Sequence, residues 1–318
     1  MNMDNSTLIG IVGNIASVVG VVMLNKHLVQ KDGFDFMIFI SFCHFVFTTI
    51  GSRVLLKLGC YQYKNASIMN VLPVSLGSLG SVAFMNLTLS HNSVGFYQIS
   101  KLACIPVTLL LQKVFYHQST PQVVLLTLIP IIIGMAIATV FDVQLNFLGT
   151  IYACCGVLCT CSAQIFTTKY QKSLECNALQ LLYHTSPIIA CGMLVLLPMF
   201  DDYAALFVYE FNAGMMNRLL LSCVMALGVN ISNYLVLGKT SPLTYQVLGH
   251  FKTILIIILG VVLFNKLTDN RNLVGIAIAL GGVVAYTEVK RRVSSTLPII
   301  TSSSPKQEIN TSRKNLDN

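Results

Sequence analysis

The sequence has few charged residues, and none that are acidic within its long apolar stretches. Only 10% of its 318 residues are charged, 54% are hydrophobic and the mean hydropathy is +0.72. Soluble globular proteins carry about 25% charged residues. The composition therefore excludes an ordinary soluble domain and indicates a protein that crosses a membrane several times.

Ten apolar runs approach or reach the length of about 17–25 residues that crosses a bilayer as a helix. They are residues 7–24, 36–52, 71–90, 94–112, 123–141, 147–168, 178–200, 219–238, 242–264 and 273–287. We therefore predict an all-α membrane protein with ten transmembrane helices in one domain, residues 1–290. The polar, Ser/Thr-rich end, residues 291–318, is predicted to be a disordered cytosolic tail.

The net charge of +8 reflects membrane topology. With ten spans and both termini in the cytosol, 13 of the 20 lysines and arginines lie on the cytosolic side. Five lie on the opposite side: Lys26, Lys31, Arg218, Lys266 and Arg271. This split obeys the positive-inside rule. The basic balance therefore predicts a lipid bilayer, and no nucleic acid, as the partner.

The ten cysteines predict neither a disulfide framework nor a metal site. Cys154, Cys155, Cys159 and Cys161 share one apolar run without a nearby histidine or carboxylate, so we interpret them as small packing residues. We expect no cofactor. An enzyme or receptor is disfavoured, because the sequence shows no nucleophile constellation and no sizeable domain outside the membrane.

The remaining two basic residues, Lys101 and Lys252, lie inside apolar runs. An ammonium at membrane depth costs roughly 2.5–3.5 kcal/mol on insertion scales, so such residues usually face a cavity and a ligand. Counted from the start of their runs, they are roughly 10 and 15 Å deep at 1.5 Å per residue. The ligand that matches two ammonium groups is an anion.

An internal repeat relates the two halves of the chain at an offset of 148 residues. The matched pairs include Tyr97 with Tyr245, Gln98 with Gln246 and Gly134 with Gly282. Five spans per half is an odd number, so the halves, about 1–145 and 146–290, must insert with opposite orientation. Inverted repeats with a site near the midplane are typical of transporters. The repeat also places both lysines on nearly equivalent helix faces, entering from opposite sides.

Three tyrosines and two glutamines in the apolar runs are weaker candidates for ligand contacts. Tyr97, Tyr183 and Tyr245 can stack on a base or sugar, and Gln98 and Gln246 can bond to ring edges, although helix packing explains each equally well. The pairs Gly134-xxx-Ala138 and Gly275-xxx-Ala279 predict close helix packing, within the chain or between the protomers of a homodimer.

His44, His184 and His250 are the available proton carriers, and we interpret them as packed hydrogen-bonding residues. Exchange of one anion for another therefore fits better than proton coupling.

Four segments carry a resemblance to a known family. They are NK at residues 25–26, VGFYQISKLACIPV at 94–107, LLYHTSP at 181–187 and GHFKT at 249–253. With these segments the chain resembles the nucleotide-sugar/triose-phosphate translocator family of the drug/metabolite transporter superfamily, over about residues 7–290. The plastid phosphate translocators of that family carry Lys-Arg where this chain has Lys252-Thr253. In this feature it is similar to the group that carries UDP-galactose, UDP-rhamnose or UDP-xylose, and it lacks the asparagine of the GDP-mannose motif GALNK.

The resemblance implies a role for each motif residue. Lys101 and Lys252 would hold phosphate, Gly249 and Thr253 would let it approach, and Tyr183 and His184 would contact the nucleotide. It further implies residence in the Golgi membrane, or alternatively the endoplasmic reticulum, and exchange of a nucleotide sugar for a nucleoside monophosphate. Two alternatives stay open: an antiporter of phosphate or phosphorylated metabolites, and a proton-driven metabolite exporter of the same fold.

Overall fold

The computed structural model describes residues 5–92, 94–139, 146–264 and 270–296, with side chains at 10–88, 91–92, 96–97, 100–137, 146–255 and 273–293. In this part of the chain there are eleven helices and no strand. They are α1 (Asn5–Gln30), α2 (Met37–Lys57), α3 (Ile68–His91), α4 (Val94–Tyr116), α5 (Gln122–Thr139), α6 (Phe147–Ser173), α7 (Ala178–Phe200), α8 (Tyr203–Val208), α9 (Ala213–Lys239), α10 (Pro242–Phe264) and α11 (Asn270–Thr296). The predicted all-helical class is confirmed. Each of the ten apolar runs overlaps one long helix, and the short α8 was not predicted. The tail was predicted for residues 291–318, but residues 291–296 continue α11. The rest of the predicted tail lies outside the described residues.

Seven helices in the described residues are long and apolar enough to cross a membrane. These stretches are Gly10–Gln30, Met37–Lys57, Ile68–Thr88, Phe147–Ser173, Ala178–Phe200, Ala213–Lys239 and Leu273–Val293. The described part of α5, Gln122–Ile137, is apolar but shorter. Membrane-spanning helices are therefore present, while the count of ten stays a prediction.

Asparagine side chains start three of the long helices. Asn146 accepts from the backbone N–H of Gly149 at 3.1 Å to begin α6, and Asn212 accepts from Met215 at 2.8 Å to begin α9. Asn177 and Gln180 form a reciprocal capping box at the start of α7. These side chains satisfy N–H groups that have no partner inside the helix, which fixes where each helix begins.

The long helices pack mainly in pairs, α3 with α6, α1 with α9, α2 with α7 and α5 with α11. Small residues lie at the contacts: Gly80 of α3 faces Cys159 of α6, and Gly228 of α9 faces Ser17 of α1. Cys161 Sγ lies 3.5 Å from the carbonyl oxygen of Cys104 on α4, so Cys159 and Cys161 of α6 are both in packing contacts. Helices in a membrane associate through such close contacts, because lipid tails are as apolar as the helix surfaces.

The α5–α11 contact is the closest of these. A β-carbon added at Gly134 would lie 2.6 Å from the Gly275 carbonyl oxygen, and one added at Gly282 would lie 2.8 Å from the Ile131 backbone nitrogen. The backbones therefore touch directly at both glycines. The predicted small-residue packing of Gly134 and Gly275 occurs within the chain, while the side chain of Ala138 lies outside the described residues.

The apolar core divides into two regions. One cluster joins α4, α5, α10 and α11 through buried residues such as Ile105, Ile131 and Ile254. The other clusters join α1, α2, α3, α6, α7 and α9. A smaller cluster around Cys104 and Cys161 connects α4 to α6. Lys101 on α4 and Lys252 on α10 thus lie on helices of the first region, where it meets the second.

An ion pair fixes the loop after α1 to the start of α9. Arg218 Nε donates to Asp32 Oδ2 at 2.8 Å, and a second guanidinium nitrogen binds the other carboxylate oxygen. The Tyr209 hydroxyl donates to the Asp32 carbonyl at 2.6 Å. The hydrogen bonds from Arg218 hold the pKa of the Asp32 carboxyl below its ordinary value of 3.8.

We predict that Gly134→Ala lowers the melting temperature of the purified protein. The added methyl group collides with the backbone of α11, and overpacking of this kind costs about 1–3 kcal/mol. The matched control is Gly281→Ala, because a β-carbon there meets no atom within 4 Å. A Gly134→Ala protein as stable as the parent would contradict the close contact.

We predict that Asp32→Asn destabilises the protein at pH 7 by about 1 kcal/mol, since the pair is partly solvent-screened. A carboxyl with a lowered folded pKa stabilises above its unfolded value, and this stabilisation is lost as the pH falls through the folded pKa. The difference between parent and variant should therefore shrink below pH 3.8. Melting temperatures measured across this range test it. Asp202→Asn is the matched control for stability at pH 7, because an amide oxygen can still cap α8.

Candidate anion-binding site

Lys252 is buried in the middle of the bundle. Its side chain is 6% exposed. Nζ donates to Asn14 Oδ1 at 2.6 Å and lies 5.1 Å from the centre of the Tyr245 ring. An amide oxygen and an aromatic face stabilise an ammonium without neutralising it. The positive charge therefore remains available to an anion.

Lys101 lies near the same point from the other half of the chain. Its Nζ is 4.3 Å from the centre of the Tyr97 ring, one helical turn earlier on α4. The charge is close enough to act electrostatically on both Lys252 and His250. The structure thus brings together two lysines, each beside a tyrosine, and the two tyrosines are matched by the repeat. Neither lysine has a carboxylate partner among the described residues.

Asn14 organises the neutral partners of Lys252 and was missed by the sequence reasoning. It is wholly buried. Its amide nitrogen donates to Ser232 Oγ at 2.8 Å and to Asn233 Oδ1 at 2.7 Å. The Tyr245 hydroxyl also donates to Asn233 Oδ1, at 2.6 Å. A lone asparagine inside the first apolar run was the available signal, because a buried amide needs partners.

A cavity with about 620 Å³ of empty space adjoins this network. Its polar wall carries hydroxyl and amide groups from α3, α6, α9 and α10. These are Ser78, Ser81, Thr160, Gln164, Thr167, Asn230, Asn233, Tyr234 and Tyr245. The described residues lining it include no acidic side chain. Since Tyr245 and Asn233 belong to both, the cavity wall is one hydrogen bond away from Asn14 and two from Lys252.

Gly249 and Thr253 lie on α10 within one turn of Lys252. A β-carbon at Gly249 would meet no atom within 4 Å, so this face of the helix borders open space. Thr253 Oγ1 donates to the Gly249 carbonyl at 3.2 Å and keeps its lone pairs. Gly249 therefore leaves room for a ligand to approach the helix backbone.

Of the two glutamines predicted as ligand contacts, the structure describes the side chain of Gln246. Gln246 is 6% exposed, and its amide nitrogen donates to Thr108 of α4 and to Gln164 of α6, at 3.1 Å for the latter. It therefore ties α10 to two neighbouring helices, although its own Oε1 accepts no hydrogen bond in the described structure. The Gln98 side chain lies outside the described residues.

Tyr183 and His184 lie apart from the lysines. The Tyr183 ring contacts Tyr63 at 5.6 Å between centroids, and the Arg53 guanidinium is 5.5 Å from it. His184 Nε2 is bonded to the Lys64 carbonyl oxygen at 2.8 Å. These partners belong to the end of α2 and the following loop. Neither Tyr183 nor His184 lines the central cavity, so the structure does not bring them together with Lys252.

The intramembrane histidines occupy different surroundings. His44 Nε2 pairs with Ser222 Oγ at 2.7 Å, and Ser222 donates onward to Asn25 Oδ1 at 2.7 Å. This chain joins α2, α9 and the end of α1, where the NK motif lies. His250 is buried beside Lys101. His44 and His184 therefore act as hydrogen-bonding residues between structural elements.

We predict that Asn14→Leu lowers stability, because it removes the acceptor of a buried ammonium. Leaving a buried group unsatisfied costs about 1–3 kcal/mol, more for a charge. The double variant Asn14→Leu/Lys252→Met should recover most of the loss, since both partners are then apolar. Melting temperatures of the three proteins test this. An Asn14→Leu protein that unfolds at the parent temperature would contradict the bond.

Comparison with known proteins gives three findings. The sequence profile of the Triose-phosphate Transporter family matches residues 12–287. UDP-xylose transporter 3 of Arabidopsis thaliana is 36% identical over 291 residues, covering 89% of this chain and 82% of the relative. UDP-rhamnose/UDP-galactose transporter 1 of the same plant is 36% identical over 294 residues, covering 89% and 84%. A crystal structure of a protein only 10% identical shares the fold, with a TM-score of 0.73 over 91% of this chain and 98% of that one.

The matches extend over nearly the whole of the apolar bundle, and they confirm the resemblance inferred from the GHFKT segment and its companions. The profile and the relatives describe transporters rather than enzymes. The chain belongs to the Triose-phosphate Transporter family.

Proposed function

We propose that the protein exchanges a UDP-sugar for UMP across the Golgi membrane by alternating access. The observation that carries this proposal is the pair of ammonium groups of Lys101 and Lys252, which lie within electrostatic range of each other. Lys252 is joined to the wall of the central cavity through Asn14 and Asn233. A diphosphate carries negative charge that can neutralise both ammonium groups.

The energetics favour a phosphate-bearing ligand at this point. An ammonium and a phosphate oxygen 4 Å apart attract with about 4 kcal/mol at an effective dielectric constant of 20. The amide dipole of Asn14 attracts the ammonium of Lys252 less strongly than this. A phosphate that enters would therefore take over the charge of Lys252, and the open face at Gly249 provides space for it.

The relatives support a nucleotide sugar as the cargo. The plant proteins that share 36% of their residues with this chain are transporters of UDP-xylose, UDP-rhamnose and UDP-galactose. Thr253 stands where an arginine would add a second charge next to Lys252, so the site suits a diphosphate spread between two lysines better than a compact phosphate ion. Amide and hydroxyl groups in the cavity wall are suited to a sugar and a uracil ring.

The arrangement of helix contacts supports two inverted five-helix repeats. Gly134 of α5 meets the backbone around Ala279 of α11, and Gly282 of α11 meets the backbone at Ile131 of α5. Both glycines and both of their partners are related by the offset of 148. Reciprocal contacts of this kind are expected where a two-fold axis passes between equivalent helices. In the same way, Gly80 and Gly228 serve the α3–α6 and α9–α1 pairs.

Two hydrogen bonds join α6 and α9 at one end of the central cavity, and they support its assignment as a gate. Gln171 Nε2 donates to the Tyr234 carbonyl at 2.9 Å, and Thr168 Oγ1 donates to the Leu237 carbonyl at 3.2 Å. These bonds join the ends of α6 and α9. The opposite end carries a cleft between α2, α3 and α7 with about 810 Å³ of empty space. With both termini in the cytosol, the gated end is cytosolic, and the α6–α9 bonds break in the alternate state.

We predict that proteoliposomes loaded with UMP take up at least one radiolabelled UDP-sugar. Uptake should need internal UMP and should respond little to membrane potential, because the exchanged anions carry similar charge. A panel with GDP-mannose, triose phosphates and inorganic phosphate tests the cargo. Uptake of phosphate or triose phosphate alone would favour the sister activity, and uptake driven by a pH gradient without UMP would favour a proton-driven exporter.

In the same assay Lys252→Ala and Lys101→Ala should each reduce exchange at least about a hundredfold, which corresponds to losing one charge-assisted contact. Lys57→Ala is the matched control, since Lys57 is exposed at the end of α2. Parent-level exchange in Lys252→Ala would reject the site.

A further inference from the structure

A second basic cleft lies between α4, α6 and α10, at the end of the bundle where α4 and α6 finish and α10 begins. It has about 870 Å³ of empty space. We call it the α4–α6–α10 cleft. Its walls are formed by Gln112, Tyr116, Gln118, Ile165, Thr168, Lys169, Lys172, Ser173, Ser241 and Pro242. None of these residues is acidic.

The lysines of the cleft have no carboxylate partner among the described residues. Lys169 and Lys172 are exposed, and Lys169 Nζ lies 5.1 Å from the Tyr116 ring centre. Lys290 of α11 adds a third positive charge behind the wall, bonded to Ser241 Oγ at 3.0 Å and to the Tyr286 hydroxyl at 3.2 Å. It lies close enough to Lys172 for their charges to interact. Two ammonium groups therefore face one open space, and a third lies behind its wall.

An apolar groove continues from the cleft. It is lined by Leu111, Phe115, Tyr116, Ser162, Ile165, Phe166 and Lys169, and it has about 680 Å³ of empty space. Tyr116, Ile165 and Lys169 belong to both the cleft and the groove. The Phe115 side chain is 69% exposed on the groove wall. A charged space that joins an apolar channel matches a molecule with an anionic head and a hydrocarbon chain.

The cleft is separate from the central cavity. No residue lines both. Between them, Gln246 bonds α10 to α4 and α6, and Thr168 bonds α6 to the end of α9. A ligand in the cleft is therefore not in contact with Lys252 in this structure.

We propose that the α4–α6–α10 cleft and its groove bind one anionic phospholipid. The phosphate of the head group lies between Lys169 and Lys172, and an acyl chain follows the groove past Phe115. Basic pockets between transmembrane helices are a known arrangement for phosphorylated lipid head groups. A lipid bound there bridges α4 and α6, one helix from each region of the apolar core.

Native mass spectrometry of the full chain in detergent tests this with phosphatidylinositol 4-phosphate as the probe and phosphatidylcholine as the reference. We expect one retained phosphatidylinositol 4-phosphate per protein, and weaker retention of phosphatidylcholine. Lys169→Gln/Lys172→Gln should weaken retention about thirtyfold, since each lysine near a membrane surface contributes a factor of about five. Lys113→Gln, at the same end of α4 but outside the cleft wall, should leave it unchanged.

The apolar half is tested with Phe115→Asn, an exposed position whose change should not unfold the protein. This substitution should weaken retention of phosphatidylinositol 4-phosphate but not retention of soluble inositol 1,4-bisphosphate. Equal retention of the soluble head group and the lipid would overturn the lipid assignment, and so would displacement of the lipid by UMP, which would make the cleft a nucleotide entrance. Equal retention by the double lysine variant and the parent would overturn the cleft itself. None of these outcomes depends on exchange activity.

Discussion

The cost of holding an ammonium inside a low-dielectric bundle is the constraint on which the rest of the site depends. Lys252 is 6% exposed, and no described carboxylate neutralises it. Neutral dipoles must therefore stabilise it, and these come from Asn14 on α1 and Tyr245 on α10. Asn14 in turn needs acceptors, which Ser232 and Asn233 of α9 supply. One charge thus dictates a polar network across three helices, while the closest helix contacts, at Gly134, Gly228 and Gly282, are made by small residues.

Those small contacts are what allow the network to form. In a membrane, helices gain little from burying apolar surface against each other, so association depends on close backbone approach. Gly228 lets α1 lie against α9 at Ser17, one turn from Asn14 on the same helix. The α5–α11 contact at Gly134 and Gly282 holds the first core region together behind α4 and α10. The glycine contacts therefore set the positions of the helices around the lysines.

The sequence was informative where one residue type has one physical consequence. Apolar runs predicted the long helices. Two lysines without acidic neighbours predicted one shared anion site, and the two lie within electrostatic range of each other. It was less informative where a residue has several uses. A glutamine such as Gln246 can bind a ligand or bond helices together, and only the fold places Thr108 and Gln164 within its reach. Asn14 was overlooked because its partners lie more than 200 residues away. Tyr183 and His184 were grouped with the lysines by motif, whereas the depth of each residue along its helix sets them near Arg53 and Lys64.

In the proposed exchange, the same charge that recruits substrate also opposes movement of the empty carrier. Closing the site around Lys101 and Lys252 without an anion removes two ammonium groups from water and sets them against each other, and desolvating an ion is expensive unless a partner compensates it. With a diphosphate or a monophosphate bound, the closed state is electrically balanced and the Asn14 network has only to position the lysine. The alternate state is therefore reached more easily by a loaded carrier than by an empty one. Coupling of inward and outward movement then follows from the electrostatics of two lysines, and the described residues that line the central cavity include no carboxylate.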